Sequence, residues 1–385
     1  MSCSFTTADK IIYGESAIEN AGEALSLFGK KAFIVTGKTV CTLDCFARLT
    51  DTLKNHGIEY EVFSEITGEP DDKMINEGLN KYKASGCDFL IGIGGGSPLD
   101  SMKAIAALYT NGGKIADCMG VEIGGKLPKM AAMPTTAGTG SEVTKFTVIT
   151  DSKTQVKMLL KGDCLIPNLA VIDSAACIGA PKSVTVATAL DALTHAVESY
   201  TSKKAQPLTD VAAISSVKRI FTYLPSALAD GGDKKARFEL SLAALEAGMA
   251  INNASVTIVH GMSRPIGALF HVSHGLSNAM LLVKCMEFAK DGAYERFAAL
   301  GRAIGVNNGE NASDKLCADR FVEALGKLCA DCGVPTLKQY GIDMEEFMNA
   351  VDKMAADAIK SGSPANTIKP VTESDVKRLY RSLWA

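Results

Sequence analysis

Histidine is scarce in this chain, with 5 His among 385 residues against 11 Cys. An excess of either charge is also lacking, because 40 Lys+Arg stand against 43 Asp+Glu for a formal net charge of -3. That balance removes the basic surplus on which non-specific nucleic-acid binding depends, and neither nucleic acid nor an anionic membrane is expected as a partner. No apolar run approaches the roughly 18 residues of a spanning helix. The N-terminal MSCSFTTADK has no basic stretch leading into an apolar core, as a secretory signal would. The expectation is a cytoplasmic protein. Its cysteines are odd in number and scattered, which suits small buried hydrophobes in a reducing compartment. Cys329-Ala-Asp-Cys332 has CxxC spacing, but no second pair or nearby His completes a zinc set, and it reads as structural.

What is present is an ordinary globular composition, 47% hydrophobic and 22% charged, with enough apolar residues for a sizeable core. At roughly 100–200 residues per domain, the length predicts two domains. Residues 1–180 alternate short β-rich runs with helical patterns, the signature of βαβ units and a parallel sheet. Strands are predicted at Lys31–Thr36, Tyr60–Phe63, Asp88–Ile93, Lys129–Met133 and Ala170–Asp173, with helices at Cys45–His56 and Asp72–Ser85. Lys145–Leu160 predicts a hairpin, since two alternating runs flank Asp-Ser-Lys. Beyond Pro181 an Ala/Leu/Met-rich helical period takes over, so 181–385 is expected to be all-helical, joined through Ile178-Gly-Ala-Pro-Lys182.

Three stretches carry chemistry. In the first, an apolar run leads into Gly94, Gly95, Gly96 and Ser97, then a helix reaching Asp100; bare backbone N–H groups and a helix N-terminus there make a phosphate cradle, although a plain tight turn is the alternative. The run matches neither GxGxxG nor GxxxxGK[ST]. A second small-residue loop, Pro134 to Ser141, also follows a strand, so the pair would suit a dinucleotide along the carboxyl edge of the sheet. The second stretch is Asp191 and His195, at i and i+4 on one helix face; such a pair serves as a metal site or simply as a hydrogen-bonded pair. In the third, His260, His271 and His274 fall within fifteen residues of a His-poor chain. A carboxylate with several imidazoles suits Fe(II), Zn or a neighbouring divalent transition ion rather than Ca or Mg.

Ile11-Ile-Tyr-Gly14, the GGGS turn, PTTAGTGSEVT at 134–144, DALTHAVE at 191–198 and HGMSRPIG at 260–267 followed by His274-Gly275 together resemble the iron-containing (group III) alcohol dehydrogenases. The resemblance, which extends to lactaldehyde reductases and to propanediol and butanol dehydrogenases, spans nearly the whole chain. It implies a Rossmann-like α/β domain with an all-helical second domain, a fold shared with dehydroquinate synthases. It also implies Asp191, His195, His260 and His274 as ligands of Fe(II), or alternatively Zn. Gly94, Gly95, Gly96, Ser97 and Asp100 would serve the pyrophosphate turn. Thr135, Thr136, Thr139 and Ser141 would line the nicotinamide and ribose, and Lys157 would contact the ribose. The implied activity is NAD(P)-linked interconversion of a small alcohol and aldehyde, in a homodimer. A dehydroquinate synthase-like or glycerol dehydrogenase-like metal enzyme, or a non-catalytic nucleotide-binding metalloprotein, are the alternatives.

Two positions depart from the family pattern. Where NAD-dependent relatives carry Asp after the first cofactor-domain strand, this chain has Gly37 and then Lys38. Without a carboxylate to repel a 2′-phosphate, NADP(H) is favoured, with NAD(H) as the alternative. Arg264 stands where relatives have a His one turn beyond His260. A guanidinium cannot relay protons, so it is expected to meet an anionic or polyhydroxy substrate group, with His271 or a water chain exchanging protons. The alternative is a salt bridge from Arg264 and a merely exposed His271.

Overall fold

The computed structural model describes residues 2–154, 156–306 and 312–384. The chain divides into two compact units, one made of residues 6–180 and 231–248 and the other of residues 1–5, 181–230 and 249–385.

The first unit is built on a six-stranded sheet of β1 (Lys10–Gly14), β2 (Lys31–Val35), β3 (Glu59–Phe63), β4 (Phe89–Gly94), β5 (Met130–Pro134) and β8 (Leu169–Asp173), in the order β1-β8-β5-β4-β2-β3. Every pairing in it is parallel. The four inner strands read KAFIV, FLIGIG, MAAMP and LAVID and are almost wholly buried, as strands covered on both faces must be. Alternate residues enter opposite cores. Phe33, Val35, Leu90 and Ala132 pack with α2 (Asp72–Ser85) and α3 (Gly96–Asn111), while Ala32, Ile34, Phe89, Ile91 and Ile93 pack with α1 (Asp44–Asn55). The expected hairpin is β6 (Phe146–Thr150) antiparallel to β7 (Lys157–Lys161).

The second unit is helical, with α4 (Lys182–Tyr200), α5 (Pro207–Ala229), α7 (Ile258–Phe270), α8 (His274–Ala289), α9 (Asp314–Asp331), α10 (Met344–Lys360) and α11 (Glu373–Ser382). Helix α4 packs against α5 and α8, which centres Asp191 and His195 in that unit. Among the described residues no single helix is long and apolar enough to cross a membrane.

The α/β parallel-sheet architecture with a helical second part agrees with the sequence expectation. One difference lies in α6 (Lys234–Asn253), most of which belongs to the sheet-bearing unit. There Arg237 donates to the Ala180 carbonyl at 3.2 Å and Ser241 Oγ meets Cys177 Sγ at 3.4 Å. Gly248 lies so close to Gly140 that a Cβ on it would stand 2.7 Å from the Gly140 Cα. Residues 1–5 join the helical unit, where Gln206 donates to the Ser4 carbonyl at 3.0 Å. Helical periodicity marks α6 as a helix but is silent about the surface it covers.

Candidate metal and cofactor sites

Asp191 and His195 stand one turn apart on α4, 2% and 5% exposed. Helix α7 brings His260, 3% exposed, and α8 opens on His274, the one partly exposed member. The approach of α8 to α4 depends on Gly275. A Cβ there would overlap the Ala187 carbonyl oxygen and come within 3.2 Å of the Asp191 Cβ. The Nε2 atoms of His195, His260 and His274 lie 3.8, 3.9 and 3.7 Å from Asp191 Oδ1. One ligand atom from each of the four falls within 4.8 Å of the others.

This geometry suits a first-row divalent ion, whose bonds of about 2.0–2.2 Å place neighbouring ligand atoms roughly 3–4 Å apart. The hydrogen bonding also points to a cation. Asn278 Nδ2 donates to Asp191 Oδ1 at 2.7 Å and lies 3.1 and 3.3 Å from the Nε2 atoms of His260 and His274, so three acceptors converge on one donor. His195 Nδ1 and Asn278 Oδ1 are buried without a partner among the described residues. Burial opposes ionisation of Asp191, but the surrounding imidazoles and the Asn278 amide outweigh it and hold the carboxyl below its usual range. Burial, aided by the neighbouring His195 and His274, keeps His260 well below the ordinary imidazole value, which suits a neutral ligand.

The two cofactor-loop candidates meet at the ends of β4 and β5. Gly94 has φ +145°, a conformation that disfavours side chains, and Thr135 N–H donates to its carbonyl at 2.8 Å. A Cβ on Gly96 would be 2.8 Å from Thr139 Cγ2, and one on Gly95 would be 3.6 Å from Thr136 Oγ1. The N-terminus of α3, which begins at Gly96 and includes Ser97, therefore faces the Thr135–Ser141 loop. Asp100 braces the pair, accepting from Ser141 Oγ at 2.7 Å and from Val148 N–H at 2.9 Å. Behind them the fully buried Lys103 donates to the Thr144 and Phe146 carbonyls at 2.8 and 2.9 Å. Burial lowers its ammonium to about 8 and raises the nearby Glu142 carboxyl to about 7. Lys157 Nζ pairs with Glu69 at 2.6 Å.

Gly37 has a steric reason to be glycine, because a Cβ would stand 2.7 Å from the Ile66 carbonyl oxygen. Lys38 pairs with Glu65 at 2.9 Å and is largely exposed. Arg264 donates to Ser363 Oγ at 3.0 Å, and no carboxylate pairs with it among the described residues. His271 is exposed and ends α7 with φ +53°. Cys329 and Cys332 are buried, and that burial raises their thiols to about 12 and about 11, which makes them poor thiolate donors.

Sequence reasoning passed over two side chains at the ligand cluster, Glu198 and Asn278. Each sits at helical spacing from a ligand, three residues after His195 and four after His274, and that spacing was the available signal.

Residues 8–174 match the family described as iron-containing alcohol dehydrogenase, and residues 185–384 match the Fe-containing alcohol dehydrogenase family C-terminal domain. The 1,3-propanediol dehydrogenase of Citrobacter freundii is 35% identical over 377 residues, covering 97% of this chain and 96% of that protein. The crystal structure of a 1,3-propanediol oxidoreductase superposes with TM-score 0.95 at 33% identity and full coverage of both chains. Sulfoacetaldehyde reductase from Bifidobacterium kashiwanohense, solved in complex with NAD+, superposes with TM-score 0.87 at 27% identity, covering 100% of this chain and 99% of that one.

Proposed function

The chain belongs to the iron-containing alcohol dehydrogenase family, and from that premise we propose that Asp191, His195, His260 and His274 hold its divalent ion, Fe(II) or alternatively Zn, while it interconverts a small alcohol and its aldehyde. The observation that carries this reading is the convergence of one carboxylate oxygen and three imidazole nitrogens within 4.8 Å. When bound, the ion supplies Lewis acidity to the substrate oxygen and the nicotinamide exchanges hydride with the substrate carbon. Asp191 brings one negative charge and the neutral imidazoles none, so the donor set leaves a divalent site net positive. The buried Asp191, His195 and His260 shut out water on one side, and the partly exposed His274 marks the side on which substrate enters. Arg264 meets an anionic or hydroxyl group of the substrate, and the exposed His271 exchanges protons with solvent.

Gly94, Gly95, Gly96, Ser97 and the α3 N-terminus hold the pyrophosphate in this reading, Asp100 braces that turn, and Thr135, Thr136, Thr139, Ser141 and Lys157 serve the ribose and nicotinamide. For the dinucleotide itself we favour NADP(H) over NAD(H), because residue 37 carries no carboxylate and Lys38 is available to a 2′-phosphate in exchange for Glu65. Since Gly37→Asp would collide with Ile66, Lys38→Glu is the cleaner test. It should lower kcat/KM for NADPH about tenfold relative to NADH, the equivalent of roughly 1.4 kcal/mol. An unchanged ratio would dismiss the 2′-phosphate role. The free cysteines accord with a cytoplasmic location, and the outer strand β1, with Tyr13 62% exposed, offers an edge through which a homodimer would pair.

The whole proposal is tested by purifying the protein anaerobically, measuring its metal, and following the near-ultraviolet absorbance of NADPH and NADH with a panel of small aldehydes. Metal-dependent, aldehyde-dependent oxidation is the expected result. Bound metal without oxidation of either cofactor on any aldehyde would instead mean that the ligand set only staples the helices.

A further inference from the structure

Glu198 lies on α4 one turn beyond His195, and its side chain is completely buried. Both carboxylate oxygens are committed. Oε1 accepts from Thr257 Oγ1 and from Val259 N–H, each at 2.7 Å, and Oε2 meets Nδ1 of His260. Val259 belongs to the first turn of α7, where N–H groups have no intrahelical acceptor, so the carboxylate also completes that helix end. The consequence for His260 is chemical as well as positional. With a carboxylate on Nδ1, that nitrogen carries the proton and Nε2 presents its lone pair, and Nε2 is the atom that faces Asp191 Oδ1 at 3.9 Å.

We propose that Glu198 is a positioning residue of the metal centre: its carboxylate holds His260 in the Nδ1–H form with Nε2 aimed at the point where Asp191, His195 and His274 converge, so divalent-ion affinity depends on Glu198 although Glu198 is not a ligand. A partner behind a ligating imidazole both orients the ring and raises its basicity, and losing one typically weakens metal binding 10–100-fold. The assignment rests on reading the four residues as the metal site. Glu198→Gln keeps the shape but offers a single acceptor oxygen and an amide N–H₂. Its amide can donate to Nδ1 and drive the proton onto Nε2, where it blocks coordination.

The test challenges zinc-loaded full-length protein with increasing EDTA, comparing wild type, Glu198→Gln and Thr257→Val, with circular dichroism and the thermal midpoint recorded on each. Glu198→Gln should release zinc at roughly 10–100-fold lower chelator activity. Thr257→Val, which removes a bond to Glu198 but keeps its contact with His260, should stay within about twofold of wild type on the same reasoning. A Glu198→Gln protein that melts earlier yet retains zinc as tightly as wild type would overturn the proposal and leave Glu198 as a helix cap. Wild type that retains no zinc would overturn the metal reading itself. Should Glu198→Gln not fold, histidine ¹⁵N NMR of the metal-free wild type decides: the Nδ1–H tautomer at His260 supports the assignment, and Nε2–H refutes it.

Discussion

Arg264 carries its charge into a partly buried position where, among the described residues, the Ser363 hydroxyl is its hydrogen-bond partner; burial works against that charge and the Glu198 carboxylate offsets it only in part. A guanidinium with no carboxylate in direct contact is costly to keep in such a place, so in the proposed function its complement arrives with the substrate. Replacing Arg264 with Met should therefore cut kcat/KM for carboxylated aldehydes about ten- to hundredfold, the worth of one charged hydrogen bond of roughly 1.5–3 kcal/mol, and should spare neutral aldehydes. Equal losses on both classes would dismiss substrate recognition. At this scale the sequence is most legible where a residue type is rare. With 5 His in the chain, the three that join Asp191 stand out, and the i,i+4 spacing of Asp191 and His195 already puts them on one face. Glu198 is not legible in the same way. Glutamates are common, and one three residues beyond His195 reads equally well as a solvated helix face until its complete burial and its contact with His260 are seen.

Among the elements, the proposed metal site depends on how closely α8 can lie on α4. Gly275 permits that approach, and Gly275→Ala would push the first turn of α8, and His274 with it, away from Asp191. The expected cost is about 1–3 kcal/mol of stability, as for other overpacked sites, with easier loss of zinc to a chelator. Thermal melting and zinc release on the variant check both, and a protein unchanged in each would refute the packing argument. The inner strands are legible because parallel strands covered on both faces leave unbroken apolar runs such as FLIGI. β1 goes unpredicted because KIIYG, at the sheet edge with Lys10 and Tyr13 exposed, shows neither the unbroken buried run of the inner strands nor a clean alternation. The placement of α6 escapes periodicity for another reason: its contacts with Ala180, Cys177 and Gly140 are long-range, and the same apolar face would serve against either unit.

For the molecule as a whole, the four ligands come from three helices spread between residues 191 and 274, so an ion held there fastens segments distant in sequence into one core. Binding to the folded form alone also stabilises it by mass action. The central claim, that Asp191, His195, His260 and His274 form the catalytic metal centre, is tested most directly by elemental analysis of the anaerobically purified chain, made alongside Asp191→Asn and His274→Ala. The account predicts one divalent ion per wild-type chain, lost from both variants together with aldehyde-dependent oxidation of the nicotinamide cofactor. Folded variants that keep the ion and the activity would contradict it.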